Sequence, residues 1–296
     1  MAPRARTPAA TLSEHQAKVL AETAMGAYGL RISGIAEAQT MLVPSGRDWP
    51  HLRIVASLEN PDARPELVTD LRADLSLKTG GRLTIDRDTG VARFAVPRRL
   101  TDHELVHPFL APAAAVMAHW SSRPCFHGGA FVSNEGVWAL IGDREGGKSS
   151  TLAWLVLHGH AVVADDVLVL SGGTAFAGPR SIDLRQGAAE YLGAGEALGV
   201  VGARPRWRLP LPPFHCDLPL RGWVFLAWDG RVEVEALPAS QCLARLLQHR
   251  CLRVTPSDPA SFLELASLPA WELRRPRDWW YLDEAGERLL EVTSPT

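Results

Sequence analysis

A short glycine-rich stretch, GDREGGKSS at residues 142–150, carries the residue types needed to hold a nucleotide. Gly142, Gly147, Lys148 and Ser149 satisfy the spacing G-x-x-x-x-G-K-[ST]. Glycines let backbone amides turn inward around a β-phosphate, the lysine reaches the β- and γ-phosphate oxygens, and the serine hydroxyl ligates Mg²⁺. A helix beginning at Lys148 would add the positive end of its dipole. The residues of this predicted nucleotide-binding loop are Gly142, Asp143, Arg144, Glu145, Gly146, Gly147, Lys148, Ser149 and Ser150.

Two adjacent carboxylates, Asp165 and Asp166, end the apolar run VVADD a short distance after the loop. In open α/β sheets, ligands bind beyond the carboxyl ends of the parallel strands. Chain order places the strand that carries these acids next to the loop strand, or nearly so. We therefore expect both carboxylates to approach a bound γ-phosphate. The alternative is an acidic pair that only starts a turn.

Apolar segments on both sides of the loop predict an α/β unit. FHGGAFV and VWALIG precede the loop as strand candidates, TLAWLVLHG has helical composition, and HAVVADDVLVL is a further strand candidate. The order strand, glycine loop, helix, strand is typical of a P-loop unit. The later segments predict strands at AFAGPRSIDLR and WVFLAWDGRVEVEALP, a loop at RPRWRLPLPPFH (204–215), a helix at SQCLARLLQHR, and a strand followed by loop at AWELRRPRDWWYL.

The first 120 residues predict a smaller unit. A short helix is expected around residues 13–28, and alternating segments such as HLRIVASL are expected to form strands between residues 30 and 97. RLTIDRD and VARFAVP flank a Thr-Gly turn, which predicts a hairpin. HELVHPFLAPAAAVMAHW (103–120) predicts a connecting helix. The expected organisation is an N-terminal α+β or β-rich region at 1–120, which would bind an acceptor, and a P-loop catalytic domain at 121–296.

Composition narrows the function classes. The 296 residues carry a net charge of −2 from 31 basic and 33 acidic side chains, so the whole chain has no electrostatic preference for nucleic acid or an anionic membrane. No apolar run reaches the 18 or so residues that a membrane helix needs. The four cysteines form no metal-binding cluster. We expect a cytoplasmic protein without nucleic-acid or membrane partners.

Spacing also excludes several nucleotide-binding families. ABC and RecA-like ATPases usually carry the acidic strand much later in the chain. A GTPase reads guanine with Asn-Lys-x-Asp, but Asn60 and Asn134 are the only asparagines and lysine follows neither.

Four elements in chain order resemble the catalytic core of the HPr kinase/phosphorylase family. They are a strand containing His127, the glycine loop, the pair Gly159-His160, and the triplet Ala164-Asp165-Asp166. The resemblance covers about residues 125–172 and continues more loosely into the segment SIDLRQG.

The resemblance implies a PEP-carboxykinase-like P-loop fold that transfers the γ-phosphoryl group of ATP to a hydroxyl. Lys148 would neutralise the phosphates, and Ser149 with Asp183 of SIDLRQG would hold Mg²⁺. Asp166 would accept the proton of the attacking hydroxyl, and Asp165 would support the metal or its waters. Phosphoryl transfer mainly needs positioning and charge neutralisation, which suits such a set.

Three further residues receive roles from the same resemblance. His127 would lie beside the aspartate pair and tune its protonation; the alternative is a histidine packed in the core. Arg206 or Arg208 would supply an arginine that relatives bring over the phosphates from a mobile loop. For each arginine, the alternative is a solvated loop charge.

Departures from the family pattern favour a divergent branch. Arg144 and Glu145 replace small residues in the loop, and Asp183 and Gln186 stand where the regulatory enzymes have Glu and Gly. The resemblance then implies a branch of similar kinases that includes peptide-tailoring serine kinases such as lasso peptide kinases. The expected acceptor is therefore a serine hydroxyl of a peptide or protein, with ATP and Mg²⁺ as cofactors. A small alcohol as acceptor remains an alternative, as does a P-loop switch or ATPase that regulates a partner. A homo-oligomer and a monomer are both left open.

Overall fold

The structure, a computed structural model, describes residues 24–78, 80–134, 136–214, 218–254 and 258–294. Over these residues the chain is a mixed α/β protein with an eight-stranded sheet, a six-stranded sheet and two three-stranded sheets. Its strands are β1 Met25–Ala27, β2 Leu30–Ser33, β3 Val43–Pro44, β4 His51–Leu58, β5 Leu67–Val68, β6 Arg72–Ser76, β7 Arg82–Asp86, β8 Val91–Val96, β9 Cys125–Phe126, β10 Gly128–Ser133, β11 Gly136–Gly142, β12 Val162–Ala164, β13 Leu168–Ser171, β14 Thr174–Ala175, β15 Ser181–Leu184, β16 Glu196–Val201, β17 Arg204–Pro210, β18 Leu220–Trp228, β19 Glu233–Ala236 and β20 Ala270–Arg275. Its main helices are α1 Leu110–Trp120, α2 Lys148–Leu157, α3 Gln186–Leu192, α4 Ala239–Gln248, α5 Pro259–Ala266 and α6 Leu282–Thr293. None of the helices in the described residues is long and apolar enough to cross a membrane.

The eight-stranded sheet contains the N-terminal strands in the order β3-β1-β2-β4-β8-β7-β6-β5. The hairpin predicted around the Thr-Gly turn is present: β7 and β8 pair antiparallel, with Asp86 opposite Val91. The carboxylate of Asp86 closes the turn by accepting from the backbone N–H of Thr89 at 2.9 Å. Alternate residues of β8 face the core, as expected for a strand with one buried face.

One N-terminal prediction was wrong in part. Most of the predicted helix at 13–28 lies outside the described residues, but Met25–Ala27 is a strand rather than helix. The strand turns at Tyr28 and Gly29, both with positive φ, and returns as Leu30–Ser33. The connecting helix predicted at 103–120 is confirmed over Leu110–Trp120 as α1. A capped turn and a short π-helical segment precede it, and the non-helical backbone of His107 interrupts them.

The six-stranded sheet has the order β12-β10-β11-β18-β20-β19 and carries the glycine loop. β11 pairs parallel with β18, and β18 pairs parallel with β20. β10 lies antiparallel between β11 and β12, so β11 and β12 run in the same direction one strand apart. The carboxyl ends of β11 and β12 therefore reach the same edge of the sheet, as the sequence predicted.

The strand predicted over HAVVADDVLVL is two strands. β12 ends at Ala164, and β13 begins at Leu168 in a different sheet, where it pairs with β9 and β14. The break falls at Asp166, whose φ of 71° lies in the left-handed region. Such a conformation is uncommon outside glycine, so the backbone turns sharply at the second carboxylate.

The predicted Pro/Arg-rich loop at 204–215 is wrong over its first half, because Arg204–Pro210 forms β17. β17 is the central strand of a three-stranded antiparallel sheet, between β15 and β16. Arg204, Arg206 and Arg208 lie two residues apart, so they share one face of the strand. The loop predicted at the end of AWELRRPRDWWYL contains a short 3-10 turn at Trp279–Tyr281, and α6 follows it.

Candidate active site

The glycine loop connects β11 to α2 through one tight turn. The N–H of Gly146 donates to the carbonyl of Asp143 at 3.0 Å, and Glu145 lies in the left-handed region with φ 67°. Gly147, with φ 87°, is the residue before the first turn of α2, and its carbonyl accepts from both the N–H and the hydroxyl of Thr151. Arg144 is exposed, while Ser150 is half-buried in the first turn of the helix.

Lys148 folds back over its own loop. Its Nζ donates to the carbonyls of Gly142 and Asp143 at 2.8 and 2.9 Å, and the side chain is buried. Burial lowers the pKa of Lys148, while the nearby charges of Asp165 and Asp166 act to raise it. The ammonium group is thus held at the mouth of the loop, facing the aspartate pair.

Ser149 and Asp165 meet directly. The Ser149 hydroxyl donates to both carboxylate oxygens of Asp165, at 3.1 Å each. Asp165 is 3% exposed. Burial, followed by the charge of Asp166, raises the pKa of Asp165 to about 7. This carboxyl group therefore holds its proton to a higher pH than an ordinary aspartate does.

The pKa of Asp166 shifts in the opposite direction. Burial acts to raise its pKa, but electrostatic interactions with His107, His127, Arg206 and Lys148 outweigh burial and lower it. Two adjacent carboxyl groups whose environments drive their pKa values apart can take different chemical roles. Asp166 is the ionised member at neutral pH and is thus able to accept a proton.

His127 lies beside the pair, as predicted. Its Nδ1 is 2.9 Å from the backbone carbonyl of Asp166, so this nitrogen carries the proton that is donated. Burial, and then the charge of Lys148, lowers the pKa of His127. A neutral ring with Nδ1 protonated leaves Nε2 as an acceptor.

Asp183, predicted as a metal ligand, forms the centre of a buried ion-pair cluster. Its Oδ1 accepts from Nε of Arg208 at 2.7 Å, and its Oδ2 accepts from Nη2 of Arg208 at 2.9 Å and from Nη1 of Arg206 at 3.3 Å. His107 Nε2 lies 3.6 Å from Oδ2. The two arginines are therefore not on a mobile loop, which corrects that prediction, because both belong to β17 and reach back to β15. The metal role of Asp183 stays a prediction.

The two residues that distinguish this glycine loop are Arg144 and Glu145, and the structure gives Glu145 specific partners. Its carboxylate contacts Arg185 Nη2 at 2.6 Å and Arg277 Nη2 at 3.4 Å. The hydrogen bond and charge of Arg185 lower the pKa of Glu145. Glu145 thus brings two arginines from distant segments to the rim of the loop.

Two residues of the N-terminal region reach the site, and the sequence analysis missed both. The Tyr28 hydroxyl is 3.4 Å from the carbonyl of Asp165, and burial followed by the aspartate charges raises the pKa of Tyr28 far above its ordinary value. His107 contacts Asp183, and its carbonyl accepts from Arg208 at 2.8 Å. No sequence motif around Tyr28 or His107 predicts that it lies close to an aspartate of the site. By contrast, the alternation R-P-R-W-R in β17 is a strand signal that could have been recognised.

The residues present fit a magnesium ion. The Ser149 hydroxyl and the Asp165 carboxylate are oxygen donors of the kind Mg²⁺ prefers, and Mg²⁺ usually keeps several waters and takes few protein ligands. The described part of the chain contains no group of three or more His, Cys, Asp or Glu side chains arranged to hold a metal.

Comparisons with known proteins find a distant structural likeness. No family model matches the chain, and none of the curated proteins matches it. Fifty-three chains of solved structures do match. One of them, the Hpr(Ser) kinase/phosphatase from Coxiella burnetii, shares 12% sequence identity, with a TM-score of 0.28, over 56% of this chain and 96% of its own.

Proposed function

We propose that this chain is an ATP-dependent phosphotransferase that moves the γ-phosphoryl group to a hydroxyl. The observation that carries the proposal is the contact between Ser149 of the glycine loop and Asp165, with the ionised Asp166 as the next residue. A nucleotide-binding loop alone requires no such pair. A carboxylate poised to take a proton beside that loop suits an acceptor hydroxyl.

Each residue has a defined role in this reaction. Lys148 leaves its two loop carbonyls and contacts the β- and γ-phosphate oxygens. Ser149 and Asp165 would hold Mg²⁺, which supplies charge neutralisation on the phosphates when bound. The acceptor oxygen attacks the γ-phosphorus, its proton passes to the Asp166 carboxylate, and the bond to the β-phosphate oxygen breaks to release ADP. His127 keeps the backbone of Asp166 in place.

The core of residues 121–296 belongs, on this proposal, to a PEP-carboxykinase-like P-loop fold, and residues 1–120 bind the acceptor. Support for the second part comes from Tyr28 and His107, which extend from the N-terminal region to the aspartates. A site built from both regions leaves the acceptor between them. The acceptor class that we favour is a serine of a peptide or protein.

A second candidate function is a nucleotide-dependent switch that phosphorylates nothing. The contacts of Glu145 with Arg185 and Arg277 favour it, because a bound phosphate would compete for the same arginines and release the segments that carry them. The two functions differ in how ADP formation depends on an acceptor.

The test is incubation with Mg-ATP and a panel of serine-containing peptides, with products read by mass spectrometry. A phosphotransferase yields a phosphorylated peptide and ADP in equal amounts, and Lys148→Ala abolishes both. ADP formation at the same rate with and without every peptide would instead support the switch.

A further inference from the structure

One buried arginine lacks the partners that the other buried arginines have. Arg275, the last residue of β20, is 2% exposed, and its Nη2 has no hydrogen-bond partner. Across the described residues, no carboxylate forms an ion pair with its guanidinium group. Burial is the single cause that lowers the pKa of Arg275, to about 10.

Two other buried arginines, Arg180 and Arg208, have hydrogen-bond partners for their guanidinium groups. Arg208 forms two hydrogen bonds to the carboxylate of Asp183. Arg180, whose pKa burial also lowers to about 10, donates to three backbone carbonyls. A buried charge without a partner is costly, so natural folds rarely keep one unless something else satisfies it.

The position of Arg275 connects it to the glycine loop. β20 lies two strands from β11 in the same sheet, and both strands run parallel to β18 between them. The guanidinium stacks on the ring of Trp228 at 4.6 Å, which fixes its direction. A Cβ atom placed on Gly147 would lie 2.4 Å from Nη2 of Arg275 and 3.1 Å from the Trp228 ring. Nη2 therefore lies against the residue that precedes Lys148.

We infer that Arg275 is a phosphate-binding residue, whose guanidinium completes its hydrogen bonds on the diphosphate part of a nucleotide held by the glycine loop. The inference rests on the proposed nucleotide site and adds to it a cation from the opposite side of the loop from the aspartate pair. The planar guanidinium suits phosphate oxygens, which accept two parallel N–H bonds. The glycine at 147 leaves the space that this side chain occupies.

Trp228 has a defined part in this arrangement. Its ring holds the guanidinium by stacking, so little side-chain freedom is lost when the anion arrives. Arg277 also lies over the same ring, at 6.0 Å, but its charge is directed to Glu145. Arg275 is the arginine left for the ligand.

The experiment measures the binding of pyrophosphate and ADP to the full chain by calorimetry, together with the thermal midpoint of the ligand-free protein. Arg275→Met should weaken both ligands about 10- to 100-fold, because charged hydrogen bonds to phosphate are lost. The thermal midpoint should not fall, since Met fills a similar volume and removes an unpaired buried charge. Arg275→Lys, which keeps the charge but not the planar guanidinium, should bind both ligands about tenfold more weakly.

Two matched variants act as controls. Arg274→Met changes the neighbouring residue, which pairs with Glu235 and Glu272, and should leave pyrophosphate binding unchanged. Arg180→Met should lower the thermal midpoint, because three carbonyls lose their donor. A structural role for Arg275 would make its Met variant behave like Arg180→Met.

The inference is overturned if Arg275→Met binds pyrophosphate and ADP as tightly as the wild type does. It is also overturned if that variant lowers the thermal midpoint while affinity stays unchanged. If the wild type itself binds neither ligand, the nucleotide site fails and the proposed phosphotransferase function falls with it. Binding to the wild type therefore separates the two failures.

Discussion

The hydroxyl of Ser149 donates to both carboxylate oxygens of Asp165 at 3.1 Å. This contact joins the first turn of α2, the helix that follows β11, to the residue that follows β12, and β10 lies between β11 and β12 in the sheet. It places the serine of a nucleotide-binding loop beside a carboxyl group whose pKa is raised to about 7. The chemistry proposed for the chain depends on this contact and on the neighbouring Asp166.

The raised pKa of Asp165 predicts a pH-dependent stability. An aspartate in an unfolded chain titrates near pH 4, so between about pH 4 and 7 the folded state holds a proton that the unfolded state releases. The contribution of Asp165 to stability should therefore fall as pH rises through this window, while His107, His127 and His249, whose pKa values are lowered, contribute in the opposite direction. Asp165→Asn cannot ionise, so the stability of the variant relative to the wild type should increase between about pH 4 and 8 and reach an advantage of about 1–4 kcal/mol at pH 8.

Urea unfolding of the ligand-free protein at several pH values measures this effect. Asp88→Asn, on an exposed turn, is the matched control and should keep the pH dependence of the wild type. An Asp165→Asn variant whose stability depends on pH in the same way as that of the wild type would show that Asp165 has no raised pKa.

Glu145 is predicted to compete with phosphate for arginines. Replacing it by Gln removes a negative charge at the rim of the loop and releases Arg185 and Arg277. ATP affinity should rise about two- to fivefold at low ionic strength, because the contacts are solvent-exposed, and the gain should shrink as salt screens it.

Glu291→Gln provides the comparison, since that carboxylate forms an exposed pair with Arg288 in α6. Titrating each variant with ATP at two salt concentrations measures both the gain in affinity and its dependence on salt. Weaker ATP binding by Glu145→Gln would mean that Glu145 assists the nucleotide rather than competing with it.

Asp183 is predicted to be essential for stability. Asp183→Asn leaves the buried charges of Arg206 and Arg208 without their carboxylate, and breaking a buried pair in this way costs about 3–5 kcal/mol. Chemical denaturation measures the loss, and a change below about 1 kcal/mol would contradict the importance of the cluster.

The same variant addresses the metal role predicted for Asp183. Well below its unfolding midpoint, the Mg²⁺ concentration for half-maximal turnover should match that of the wild type if Asp183 serves the arginines alone. A requirement raised about tenfold or more would restore the metal role.

The local parts of the site could be predicted from the sequence. The glycine loop, α2 and the two aspartates lie within 25 residues of one another, so spacing and the parallel-strand rule were enough to bring them together. Their contact at Ser149 and Asp165 needs only that β11 and β12 run in the same direction. The hairpin β7–β8 was predicted for the same reason, because its turn chemistry is local.

The long-range parts could not be predicted. Tyr28 reaches Asp165 across 137 residues and His107 reaches Asp183 from the other region, and a single sequence carries no signal for such contacts. The break between β12 and β13 occurs at a left-handed Asp166, a conformation that is uncommon outside glycine and that the apolar run VVADD does not specify. No sequence pattern distinguishes Arg275 from other strand arginines, because its burial and its unpartnered Nη2 depend on the tertiary structure.

The central claim concerns Asp166, the carboxylate that is proposed to accept the hydroxyl proton. Asp166→Asn keeps the size of the side chain and should bind Mg-ATP nearly as tightly as the wild type. The rate of phosphoryl transfer to a peptide serine should fall about 100- to 10,000-fold, the range supplied by a general base. The most direct measurement is therefore a single-turnover transfer assay on Asp166→Asn at saturating ATP. Transfer reduced within that range, with ATP affinity retained, is the predicted result, and transfer at the wild-type rate would contradict the account.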